Sequence, residues 1–399
     1  MTSIPNKSSI VRCAVRGLLT CALACFFGFG NAHPASGANI RVCVAKEKDK
    51  ILLGIKGPYD IKAINADRIL GSGRYLKEEY VIPTNSGITL GKKEYKIYGV
   101  RIVAKKSASI YVDKKRFRGI VDIVRTKDLD LMVVNHLDLE KYLYGVLHRE
   151  VPYYWPMEAL KAQAIAARTF ALDRIKTMRD RDYDVTSDVY AQVYGGRTGE
   201  RWRTSRAVKS TTGMVLTYEG NIIPAYYHSI CGGHTEDAEN VFNIKLAPLE
   251  GRSCHFCRGA KGMHWKARLS YKEIENRLNK YGINVKGIRS VTEGSRDKSG
   301  RLKAIKIKDT TGGKKIPCFK FRLAVGPNTI RSTNFTVKNA AKDAVFSGTG
   351  WGHGVGMCQW GAFGMAKRRI NYKKILEYYY PGARITSYEK LSREKPEDF

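Results

Sequence analysis

Acidic residues are scarce in this chain: 37 Asp and Glu stand against 70 Lys and Arg, giving a formal charge of +33 and a pI near 9.8. So lopsided a balance leaves little to attract a polycation and makes polyanions the favoured partners. Also missing is an apolar run long enough for a confident membrane span; "GLLTCALACFFGFG" is too short. No internal repeat and no low-complexity tract is present, which removes solenoids and compositionally disordered chains. The Gly-rich stretch near the C-terminus lacks Walker spacing, and its GxGxxG reading is not set between a strand and a helix of a dinucleotide fold. What remains is a globular protein of 399 residues, 43% hydrophobic, with material for two or three domains and real cores.

Residues 1–38 carry Lys7, Arg12 and Arg16 and no acid, then the apolar run and small residues around Ala32 and Ala38. That is the pattern of a secretory signal, with a retained N-terminal anchor as the alternative. Removing it takes three positive charges from the formal +33 and leaves +30, so the mature chain is itself strongly basic. Nucleic acid is the usual first partner for such a pI. An exported protein, in the periplasm or at the outer face of the cytoplasmic membrane and cell wall, meets anionic wall polymers and lipid head groups instead, and no nucleic-acid partner is expected. The plain alternative is a surface kept soluble by Lys and Arg.

Residues 39–134 read as short strands, among them "YKIYGVRIVA", "ASIYVD", "GIVDIVR" and "LDLMVVN", separated by turns, and predict a β-rich N-terminal region with an antiparallel sheet. Residues 135–386 alternate helices and strands. Asp138 can cap a helix from Leu139, which Val151 before Pro152 should end near Glu150. A second helix, with Pro156 in its first turn, shows a narrow face of Leu160, Ala164, Ala167 and Ala171. Further helices are expected over about 200–212 and 271–281, a hairpin through "SRDKSGR", and a last ordered unit at "NYKKILEYYYPGARI"; residues 387–399 read as a flexible tail. The fold class is α+β: an antiparallel β-rich part joined to a mixed helix and sheet domain with a substrate cleft.

Glu150 is the physical oddity. Leu139, Tyr142, Leu143, Val146 and Leu147 form one helical stripe, and Glu150 continues it. Partial burial there would raise its pKa and keep it protonated near neutral pH, the state a general acid needs. The bland reading is a frayed helix end, with Glu150 paired to Arg149 or facing water. Glu158 is the control, a first-turn carboxylate explained by the helix dipole.

The run "LEKYLYGVLHREVPYYWPMEALKAQAIAARTFAL" resembles the signature of the stage II sporulation protein D family, which includes amidase enhancers of bacterial cell walls. The resemblance continues through "QVYGG", "AYYHSICGGHTED", "FRLAVGPNTIRSTNF" and "GTGWGHGVGMCQWGAFGMA", over roughly residues 95–385. It implies a lytic transglycosylase that cuts peptidoglycan glycan strands already stripped of stem peptides by an amidase, with Glu150 as catalytic acid and no catalytic metal or cofactor. A non-catalytic enhancer that binds the wall and stimulates an N-acetylmuramoyl-L-alanine amidase is the alternative. Most relatives have a small residue and Glu before a Met-Pro pair; here the residues are Arg149, Glu150, Val151 and Pro152, and Arg149 could alter the acid's pKa. Trp351, His353, Gln359 and Trp360 suit hydrogen bonding and stacking on sugars, with a structural turn as the alternative. Gln163, Arg168, Tyr190, Gln192, His228 and Ser229 are further cleft candidates; for Arg168 a structural ion pair serves as well.

Six cysteines follow the leader: Cys43, Cys231, Cys254, Cys257, Cys318 and Cys358. "CGGH" (Cys231 to His234) and "CHFC" (Cys254 to Cys257) supply three thiolates and an imidazole at zinc-ligand spacing, and predict a closed structural zinc site. His228 or His255 could substitute as a ligand, Cys358 reads as a small buried residue, and a disulfide of Cys254 with Cys257, or of Cys231 with either, is the alternative.

Overall fold

Alternating apolar side chains put Ile40 and Val42 of Asn39–Lys48, and Leu131 and Val133 of Leu131–Asp138, on one buried face, and the sheet grows outward from that pair. In this computed structural model the described residues are 37–394 apart from Asn65, Asp67, Lys106, Val189 and Tyr190. The expected leader, but for its last two positions, and the expected site residue Tyr190 lie outside them.

Among the described residues eleven strands join one sheet. From Leu131–Asp138 it passes antiparallel through Ile120–Arg125, Gly99–Ala104, Ile51–Ala63 and Ile69–Pro83. On its other side Asn39–Lys48 takes a short parallel partner, Val185–Thr186, which fixes the neighbouring loop at the rim of the cavity described below. The architecture is α+β, with nine α-helices and several further small sheets among the described residues.

Asp138 ends a strand and starts a helix. Its Oδ1 accepts the Lys141 N–H at 3.1 Å, capping Leu139–Glu150, and Val151 turns extended to stop it. The helix Met157–Thr177 was expected to bury a narrow face; instead Ala162, Ala164, Ile165, Ala166 and Ala167 are all fully buried. Short side chains let neighbours close on every side, so it becomes the central pillar. Its core continues into the sheet without a break.

A second apolar core gathers Trp265, Ile274, Leu278, Ile305, Phe321, Phe335 and Phe346. It is covered by helices Tyr271–Lys280 and Cys318–Val325 and includes the expected hairpin, Ser290–Glu293 against Ala304–Lys308. Arg384–Ser387 then returns to pair with Met214–Tyr218. The tail expected to be loose from 387 onward is a helix over Tyr388–Glu394: Tyr388 and Leu391, one turn apart, are both buried and anchor it.

Candidate active site

Glu150 is the last residue of its helix, on the stripe that buries Tyr142, Val146 and Leu147. It lines a cavity of about 840 Å³ and keeps some solvent access through it. Burial pushes its carboxyl up to about 7, against the opposing pull of hydrogen bonds from the Val193 N–H and the Gln359 amide. The first of these reaches Oε1 at 2.8 Å. No charged neighbour enters this balance; Arg149 is exposed and takes no part in it. Glu158 shows the contrast: burial raises it too, but Lys161 at 2.8 Å and the Tyr372 N–H at 2.9 Å outweigh that and hold it below the usual range.

Behind the acid lies a buried polar network. Gln192 accepts from the Tyr142 hydroxyl at 3.0 Å and donates to the Ala167 carbonyl and the Tyr227 hydroxyl at 3.1 and 2.9 Å. With both ends of its amide engaged and no exposure, Gln192 holds Val193, its neighbour, against Glu150 rather than facing the cavity. Gln163 is likewise buried, beside Gln359 at 3.5 Å, and is not on the cavity surface.

The cavity wall comes from a parallel strand pair, Tyr227–His228 with Met357–Cys358, which sets His228 and Ser229 beside Gln359. His228 bonds the Val355 carbonyl through Nδ1 at 3.0 Å, which assigns the proton there and leaves Nε2 a buried acceptor with no partner among the described residues. Burial, reinforced by Arg301, pushes its pKa down to about 3, so the ring is neutral. His353 differs. Its Nδ1 accepts the Val355 N–H at 3.1 Å and its Nε2 donates to the Tyr227 carbonyl at 3.0 Å, so only the ring's carbon surface is free to meet a ligand.

Trp351 lines the cavity with the Arg331 guanidinium 4.5 Å from its ring centre. Trp360 does not; it packs edge-on against Trp155 and Phe363. Arg168 is also elsewhere: fully buried, it grips both Glu140 oxygens at 2.6 and 2.8 Å and the Val208 and Met214 carbonyls, a structural pair at the base of the acid's helix. Residues not singled out from sequence complete the wall, notably Tyr226 stacked on Phe242 at 4.2 Å, Phe319 and Arg322. The quoted segments "AYYH" and "FRLAVGPN" contain two of these four, Tyr226 and Arg322.

The cysteines assemble differently from the sequence expectation. Sulfurs of Cys231, Cys254, Cys257 and Cys358 lie within 4.8 Å of one another, all buried and unbonded as disulfides. His234 is not in the group. Gly232 and Gly233, both at positive φ, turn the chain between Cys231 and His234, whose ring bonds the Thr235 carbonyl at 2.6 Å. Cys358, read as a space-filler, supplies the fourth sulfur.

Comparison with known proteins adds the kinship. Residues 127–218 match the family model described as Stage II sporulation protein, and residues 256–356 match a domain of unknown function. An uncharacterized protein of Brachyspira hyodysenteriae is 36% identical over 89% of this chain and 95% of its own length. The amidase enhancer of Bacillus subtilis is 29% identical over 77% of this chain, which spans only 50% of that relative. Stage II sporulation protein D of the same organism is 30% identical over 63% of this chain and 76% of its own length. The chain belongs to the stage II sporulation protein D family.

Proposed function

We propose that this protein acts in the bacterial cell envelope as a peptidoglycan lytic transglycosylase, exported and cutting glycan strands that an amidase has stripped of peptides. The observation that carries the reading is a carboxyl held near pKa 7 in a cavity, with no other charge acting on it. Hydrolysis of a glycoside ordinarily takes two carboxylates, one acid and one base or nucleophile. Asp184 also lines this cavity, but it is bound to Arg41 at 2.6 Å, and neither it nor Asp182 influences Glu150. A single acid suffices when the sugar traps itself. Glu150 protonates the oxygen between N-acetylmuramic acid and N-acetylglucosamine, and that bond breaks. The resulting carboxylate takes the proton of the muramoyl 6-hydroxyl as that oxygen closes on the anomeric carbon, giving the 1,6-anhydro product and restoring the acid.

The surroundings support a sugar ligand. Tyr226, Phe242 and Trp351 offer apolar faces, and the bare Nε2 of His228 can accept from a hydroxyl or acetamido N–H. Chain residues alone perform the step; no metal is assigned to it. The test is product analysis on amidase-treated sacculi: anhydro-muramoyl sugars should appear with the unaltered protein and vanish with Glu150→Ala while binding to sacculi persists. The relative named amidase enhancer favours a second reading, in which the protein binds wall and stimulates an amidase. Under it no anhydro sugar forms, and added amidase is stimulated equally by both proteins.

A further inference from the structure

Four cysteines from three distant stretches of chain converge on one point: Cys231 after the strand Tyr227–His228, Cys254 and Cys257 from a loop, and Cys358 at the start of helix Gln359–Lys367. We propose that they bind one zinc ion in a closed tetrathiolate site, which fastens the wall of the cavity to the body of the protein. The proposal stands apart from the reading of the reaction, since it rests on none of the residues assigned to chemistry.

Size fits first. Zinc–thiolate bonds of about 2.3 Å in a tetrahedron put the sulfurs about 3.8 Å apart. The four sulfurs here lie within 4.8 Å of one another, and Cys231 and Cys257 are 3.3 Å apart without being bonded. Disulfides would draw them into two pairs; instead each sulfur faces the other three.

Donors fit next. Thiolate ligands are oriented by hydrogen bonds from surrounding groups. The Gly233 N–H reaches Cys231 Sγ at 3.4 Å, the Cys231 and Gly361 N–H groups both reach Cys358 Sγ at 3.3 Å, and the Tyr379 hydroxyl lies 3.2 Å from Cys254 Sγ. The Gly232–Gly233 turn that supplies one of these donors has φ values of 81° and 115°, which side chains other than hydrogen adopt poorly. All four sulfurs are on residues at most 1% exposed, so no position is open to water or substrate. Four soft ligands in tetrahedral array select zinc or iron, and a closed, redox-silent site suits a holding role.

What the ion would hold is specific. Cys358 pairs in register with His228 and precedes Gln359, the residue whose amide bonds Glu150. Cys231 lies two residues beyond Ser229, on the same wall. The metal therefore clamps both strands that carry the wall.

Elemental analysis of the purified full chain should find about one zinc per molecule. Cobalt exchanged into the unaltered protein should give the intense sulfur-to-metal absorption and tetrahedral visible bands of four thiolates. Cys358→Ser should lose the zinc, and His234→Ala should keep it. Metal-free protein with cystines in a non-reducing peptide map would overturn the proposal, as would iron in place of zinc. So would a cobalt spectrum of three thiolates and one imidazole, which decides the ligand set even where Cys358→Ser fails to fold.

Discussion

Replacing Glu150 with Gln should make the protein both inactive and, above neutral pH, more stable. The carboxyl is raised from 4.5 to about 7. At roughly 1.4 kcal/mol per unit, this corresponds to a ceiling of about 3 kcal/mol against the ionised form in the folded state, and about 2 kcal/mol once water entering the cavity screens part of it. The sign follows from where the proton sits. Below 4.5 the group is neutral folded and unfolded, and no penalty exists. Between 4.5 and 7 the unfolded chain releases the proton while the folded chain keeps it, so stability falls as pH rises. Above 7 the full cost is present. Gln carries no such cost at any pH, and its oxygen can still accept from Val193. The stability gap between Glu150→Gln and the unaltered protein should therefore open through pH 4.5 to 7 and level off, seen as a melting-temperature gain of a few degrees at pH 8 that shrinks toward pH 4. All other titrations cancel in the difference. A gap that is flat across this range would mean the carboxylate is solvated and ionised, and the argument for a general acid would fail with it.

Gln359→Met removes a hydrogen bond that stabilises the Glu150 carboxylate, so the alkaline fall of kcat/KM should move up by about one unit; an unmoved limb would place Gln359 outside the acid's environment. His228→Ala removes an uncharged acceptor: KM for peptide-stripped glycan should rise roughly tenfold while the pH profile above 5 keeps its shape, because the ring is already neutral there. Arg168→Ala leaves the half-buried Glu140 carboxylate without its partner and should cost about 2–3 kcal/mol in urea unfolding, with KM of the folded fraction unchanged; a change in KM without loss of stability would return Arg168 to the cleft.

Local rules made the helix ends and the acid legible. Asp138 as cap, Val151 before Pro152 as stop, and a carboxylate continuing an apolar stripe are all properties of short windows, and the structure realises each of them. The burial of the alanine-rich helix was legible only in part, because residue spacing names a face but not how many neighbours close on it. Tyr388 and Leu391 were lost in a charged background, although their spacing of three was the available signal. Gln192 and Gln163 read as cleft residues from their motifs, but the sequence does not carry the direction of an amide. Gln192 faces inward because Tyr142, Ala167 and Tyr227 meet around it from three separate stretches of chain.

Cys358 makes the same point at longer range. Spacing within "CGGH" and "CHFC" names neighbours along the chain, yet the fourth sulfur reaches Cys231 across 127 positions through a parallel strand pair two residues long. That pairing also sets Gln359 beside His228 on the cavity wall. One short ladder thus fixes both the sulfur cluster and a hydrogen bond that tunes Glu150. A substitution that weakens the ladder should disturb thiol accessibility and the alkaline pH limb together, whereas one confined to the CHFC loop should expose thiols first and shift the limb only as the wall loosens.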